Sequence, residues 1–143
     1  MKPELDEATF QALTAHSDEG NRWCDEAQYA RALPHYQKAL QLIPRPLEDW
    51  EASTWVLTAI ADCLFLMGEH AQAAVHLKQV LGCPGAWGNA FIHLRLGQTA
   101  LKLGQEDLAK EHLARAYMGG GGELFEDEAP EYLHFLRRFM KDI

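Results

Sequence analysis

The stretch GNRWCDEAQYARALPHYQKALQLIP, residues 20–44, sets the architecture of the whole chain. Gly20, Ala32 and Ala39 are small, Tyr29 and Tyr36 are rings, and their helical spacing ends at Pro44. The same positions recur twice further on. Gly20 aligns with Ala61 and Gly97, Ala32 with Ala73 and Ala109, Tyr36 with Leu77 and Leu113, and Ala39 with Val80 and Ala116. All four columns step by 41 residues from the first copy to the second and by 36 from the second to the third, an agreement hard to reach by accident. A repeat of this length means stacked units, each too small to bury its apolar face alone.

In ADCLFLMGEHAQAAVHLKQVL (61–81) and GQTALKLGQEDLAKEHLARAY (97–117), apolar residues keep helical spacing on both sides of a glycine, Gly68 or Gly104. Each copy is therefore two helices joined at a residue that can take a left-handed turn. Ala73 and Ala109 open the second helices and let the two backbones approach, so a larger side chain there should overpack the crossing at about 1–3 kcal/mol.

On Gly20, Tyr29, Ala32, Tyr36, Ala39 and Pro44, with Gly68 and Gly104 at the turns, the chain resembles the tetratricopeptide repeat family, over roughly residues 13–123. The resemblance implies an all-α fold: three helical hairpins stacked as a short right-handed superhelix. A single domain over 1–143 is expected, with repeats at about 13–46, 54–87 and 90–123 and a capping helix at 129–141. That last helix is read from Tyr132, Leu133, Phe135, Leu136 and Phe139 at helical spacing, with Pro130 in its first turn. MetGlyGlyGlyGly at 118–122 is expected to be a flexible joint before it.

Some positions depart from the family pattern. His16 and Glu19 stand where apolar residues are preferred, so the first helix is expected to bury itself through Phe10, Leu13, Gly20 and Trp23. Pro34 lies inside a second helix, tolerable if it falls near the start, where backbone donors lack intrahelical partners. Residues 44–50 and 83–88 read as the connecting loops.

Composition narrows the function. The 143 residues are 48% hydrophobic and 24% charged, an ordinary globular balance, and 21 acidic against 13 basic residues give a net charge of -8. Such a surface repels a phosphate backbone, so nucleic acid is not the expected partner and a protein with a basic surface is. The opening MKPELDEATF has no basic start or apolar segment, and no run is long enough for a bilayer, so a cytoplasmic location without membrane contact is expected. Cys24, Cys63 and Cys83 have no CxxC spacing and read as reduced thiols. The seven histidines form no HxxxH or HExxH pair, the glycine run lacks Lys or Ser, and no nucleophile has a base at a recognisable spacing. No metal, cofactor or catalytic residue is expected, and the chain is read as a non-enzyme.

The resemblance also implies a site, the inner face formed by the first helix of each hairpin. Carried over residue by residue, it comprises Ser17, Asn21 and Asp25; Trp55, Thr58, Asp62 and Phe65; and Phe91, Arg95, Gln98 and Lys102, with Leu94 and Leu101 on the same face. Aromatic anchors beside amides and carboxylates suit protein binding. The alternative is that Trp55, Phe65 and Phe91 pack on the next helix or on the C-terminal segment. Only Asn21 and Arg95 match the residues with which some members clamp a peptide carboxylate, so such a clamp is not expected. Residues 123–131 hold five carboxylates, read either as helix-start chemistry or as steering for a basic partner.

The function expected is a protein–protein interaction module. The size, acidity and tail resemble small bacterial tetratricopeptide proteins of polymorphic toxin loci, which implies an immunity protein neutralising a basic toxin domain. The alternatives are an adaptor or secretion chaperone holding a client segment, and a structural subunit that self-associates into a homo-oligomer.

Overall fold

A computed structural model describes residues 4–143; Met1, Lys2 and Pro3, with which the N-terminal reading began, lie outside the described residues. Among the described residues seven α-helices follow one another: α1 Glu7–Asp25, α2 Tyr29–Gln41, α3 Glu51–Leu66, α4 His70–Val80, α5 Ala90–Lys102, α6 Glu106–Gly120 and α7 Pro130–Arg137. The described residues contain no strand, and the all-helical hairpin architecture is as expected. The chain's contacts form two compact units, the first ending at Ala86 and the second spanning Trp87–Ile143.

In the first unit α1 pairs with α2 and α3 with α4, and α2 also packs on α3. Asp6 starts α1 by accepting a bond from the Thr9 amide at 2.8 Å, satisfying one of the donors that a helix start leaves open. The repeat columns are the core: all twelve residues aligned above are buried, across both units. Gly20 shows why the first column is small. A Cβ there would lie 2.6 Å from the Tyr36 ring, so α1 and α2 can cross only where α1 has no side chain. The Tyr36 hydroxyl then reaches Asn21, donating to its Oδ1 at 2.5 Å, and stands 3.5 Å from Cys24 Sγ, itself 3.7 Å from Cys63 Sγ. Burial, chiefly, pushes the pKa of the Tyr36 hydroxyl and of the Cys63 thiol far up, so both groups are neutral hydrogen-bonding members of this chain.

Three turns join the hairpin helices, and they share one conformation. Gly68 and Gly104 have φ of 83° and 76°, and the equivalent residue of the first hairpin, Ala27, has φ of 57°. The first hairpin thus makes its left-handed turn without the residue suited to it.

Some expectations need correction. Leu13 and Gly20 are buried as expected, but Phe10 is 47% exposed and Trp23 half-buried, with Arg22 and Arg31 over its ring; buried Ser17 completes the packed stripe of α1 instead. Pro34 is the sixth residue of α2, past the open donors of a first turn, so this helix runs on without one of its backbone bonds. The glycine run is not a loose joint: α6 continues through Gly120, Gly121 turns with φ of 68°, and Gly122–Phe125 forms a 3-10 turn. Close packing explains these glycines, since a Cβ on Gly119 would meet Ala90 Cβ at 3.1 Å and one on Gly120 the Leu124 side chain at 2.9 Å.

In the second unit α5 pairs with α6, and α7 packs on α6 and on the 3-10 turn. The closing helix buries Tyr132, Phe135 and Leu136, with Phe125 from the turn; each such side chain withdrawn from water contributes about 1.5–3 kcal/mol. It ends at Arg137 rather than 141, leaving Phe139 beyond it, exposed and edge-on to Phe135.

Candidate protein-binding surface

The expected site residues fall into two groups with different fates. In the first unit, α1 places Asn21 and Asp25 at the surface, whereas Ser17 is buried and donates its hydroxyl to the Leu13 carbonyl at 2.9 Å. On α3, Trp55 is 41% exposed. Thr58 is half-buried and bonded to the Thr54 carbonyl, Asp62 is half-buried, and Phe65 lies 5.3 Å from the His70 ring.

In the second unit the residues expected on α5 are engaged by the chain's own C-terminal segment. Buried Arg95 donates to Gln98 Oε1 at 2.7 Å and to Glu128 Oε1 at 2.5 Å, and the fully buried Gln98 donates to the same Glu128 oxygen at 2.6 Å. One carboxylate therefore satisfies two donors in a site with little water. Phe91 lies under the Arg95 guanidinium, 4.9 Å away. At the end of α5, Lys102 donates to Glu131 at 2.6 Å; this bond holds the Glu131 carboxyl below the usual carboxylate range and raises the Lys102 ammonium above its own. The acidic run at 123–131 thus spends Glu128 and Glu131 on α5.

A second polar cluster escaped the sequence reading. His93 and His112 stack with ring centroids 5.2 Å apart and their Nδ1 atoms 3.0 Å apart. His93 Nε2 faces the Trp87 carbonyl at 2.8 Å, and that oxygen can only accept, so Nε2 carries the proton. In the neutral pair His93 Nδ1 is then the acceptor and His112 Nδ1 the donor. This leaves His112 Nε2 bare, 3.3 Å from Glu111 Oε2. Burial chiefly, with His93 and Arg115 adding to it, lowers the His112 pKa from its ordinary 6.5, against the pull of Glu111. The histidines are nineteen residues apart on two helices, and no pattern on one helix face reveals them. No group of three or more metal-ligating side chains occurs among the described residues.

Residues 24–83 and 92–118 each match a family profile described as tetratricopeptide repeat. The chain therefore carries tetratricopeptide repeats, and as such is a protein–protein interaction module. Two curated relatives are the photosystem I assembly proteins Ycf3 of Synechococcus elongatus and of a further Synechococcus strain. Each is 34% identical over 96 residues, covering 64% of this chain. The matched region spans about half, 53%, of the relatives' own length. Among solved structures, the first tetratricopeptide domain of Spaghetti (RPAP3), bound to the HSP90 peptide SRMEEVD, superposes with a TM-score of 0.65 at 20% identity over 90% of this chain and 92% of that one. The C-terminal domain of an FK506-binding protein from Plasmodium falciparum gives 0.72 at 19% identity, over 94% and 90%. At such identities these structures establish the fold alone. No helix among the described residues is long and apolar enough to cross a membrane.

Proposed function

We propose that the chain is an adaptor that holds a segment of a protein client on the α1 and α3 surface of its first unit. The observation that carries this reading is the occupation of α5: Arg95, Gln98 and Lys102 already hold Glu128 and Glu131. On the other two helices Asn21 and Asp25 of α1 and Trp55 of α3 are exposed, a set with a ring and a carboxylate but no Lys or Arg. Such a set suits a basic client, as does the net charge of -8. Two relatives are named for assembly of another protein complex, and a solved neighbour is described with a bound peptide; both support the adaptor over the toxin-neutralising role, which rests on the size, acidity and tail of the chain. The free thiols at Cys24, Cys63 and Cys83 support a cytoplasmic place of work.

Co-purification of the tagged chain from its native host tests this reading. A protein client recovered with the wild type and lost with Trp55→Ala, at unchanged helical circular dichroism, is the expected result. Recovery of no client together with turnover of a small molecule would overturn it.

A further inference from the structure

A cleft of about 390 Å³ lies between the N-terminal ends of α1 and α3, wholly within the first unit. Phe10, Trp50 and Trp55 form its apolar wall, and its rim includes Glu4, Glu7 and Asp49. No Lys or Arg among the described residues lines it. Phe10 and Trp55 are two of the most exposed rings of the described chain, at 47% and 41%, and they line one cleft rather than lying scattered over the surface.

Other rings of this chain are already served. Arg22 and Arg31 lie over Trp23, Arg95 over Phe91, Lys102 over Tyr132, Arg115 over Trp87, and Arg138 over Phe135. Among the described residues, no cation lies over Phe10, Trp50 or Trp55, the rings beside which carboxylates gather. Helix-start chemistry accounts for Glu7, in the first turn of α1, but not for open indole and phenyl faces beside it.

We infer that this cleft is a docking site for an arginine side chain of the partner protein, a reading that rests on the chain being a protein-binding adaptor. A guanidinium is planar, stacks on indole, and offers several donors to carboxylates at its edge, the two features the cleft combines. A volume near 390 Å³ is at the small end of ligand pockets and suits one long side chain with an apolar neighbour.

The test uses the whole chain and the peptide acetyl-Gly-Leu-Arg-Leu-Gly-amide, followed by the indole N–H signals in NMR, assigned with Trp50→Phe and Trp55→Phe. The Trp50 and Trp55 signals should shift to saturation while those of Trp23 and Trp87 stay in place. Replacing arginine by citrulline, equal in shape but uncharged, should weaken binding at least tenfold, and Glu7→Gln with Asp49→Asn at least fivefold. Absence of the Trp50 and Trp55 shifts, or equal binding of the citrulline peptide, would overturn the cleft as an arginine site. If a client still co-purifies through Trp55 in that case, the adaptor reading stands without the cleft. If no client does, both fall.

Discussion

Arg95 and Glu128, thirty-three residues apart, form an ion pair at 2.5 Å with side chains only 7% and 17% exposed. Gln98 donates to the same oxygen. Removing the carboxylate takes away the acceptor that Arg95 and Gln98 share inside the second unit, so Glu128→Ala should cost about 3 kcal/mol of unfolding free energy. Lys102 and Glu131 are a third to a half exposed, and Glu131→Ala should change stability by less than about 1 kcal/mol. Urea unfolding of the two variants checks the contrast; equal losses would show that the buried pair is not what fixes the C-terminal segment.

Ala27 makes a turn that Gly68 and Gly104 make in the other hairpins. A left-handed residue with a Cβ costs about 1–2 kcal/mol, and glycine's extra freedom when unfolded returns about 0.5–1 kcal/mol of that. Ala27→Gly should therefore stabilise the chain by up to about 1 kcal/mol, seen as a higher melting temperature. Gly97→Ala should do the reverse. Its Cβ would stand 2.5 Å from Leu113 Cγ and 2.8 Å from the Leu113 backbone nitrogen, which cannot swing away, and overpacking of this kind costs about 1–3 kcal/mol.

Folding holds His112 neutral more firmly than the unfolded chain does. As pH falls through the ordinary value of 6.5, the unfolded chain takes the proton first, so the stability His112 contributes is complete above that pH and is lost below it. His93, Glu111 and Arg115 face the same ring, and only Glu111 favours its charge. The fall in urea midpoint between pH 7.5 and 5.5 should shrink in His112→Gln; an unchanged fall would assign the acid sensitivity elsewhere.

Trp55 and Phe91 were alike in the sequence and are not alike in the fold. Trp55 is half in water, and Trp55→Ala should leave stability within about 1 kcal/mol. Phe91 lies under the Arg95 guanidinium, so Phe91→Ala should cost more and disturb the Arg95–Glu128 pair. Thermal melts of the single variants separate the two.

These cases show what the sequence could carry. The repeat columns were legible because a crossing of two helices admits only small residues, and Gly20 against Tyr36 leaves that signature in one chain. The glycine run at 119–122 was misread because the same residue serves a free joint and a close contact, and only the neighbours Ala90 and Leu124 tell them apart. The site was legible as positions but not as states. Nothing near Arg95 in sequence announces Glu128, and nothing near His93 announces His112. Phe10, expected in the core, instead walls the acidic cleft with Trp55: it shares the face of Leu13 and Ser17 but lies in the first turn of α1.

The central claim is that a client is held by the α1 and α3 surface. Site-specific photocrosslinking in the native host tests it most directly, with benzoylphenylalanine placed in turn at Asp25 and Trp55, and at the exposed Lys38 of α2 and Gln79 of α4. The same protein captured from positions 25 and 55, and not from 38 and 79, is the predicted result. Capture of no protein, or equal capture from all four positions, would contradict it.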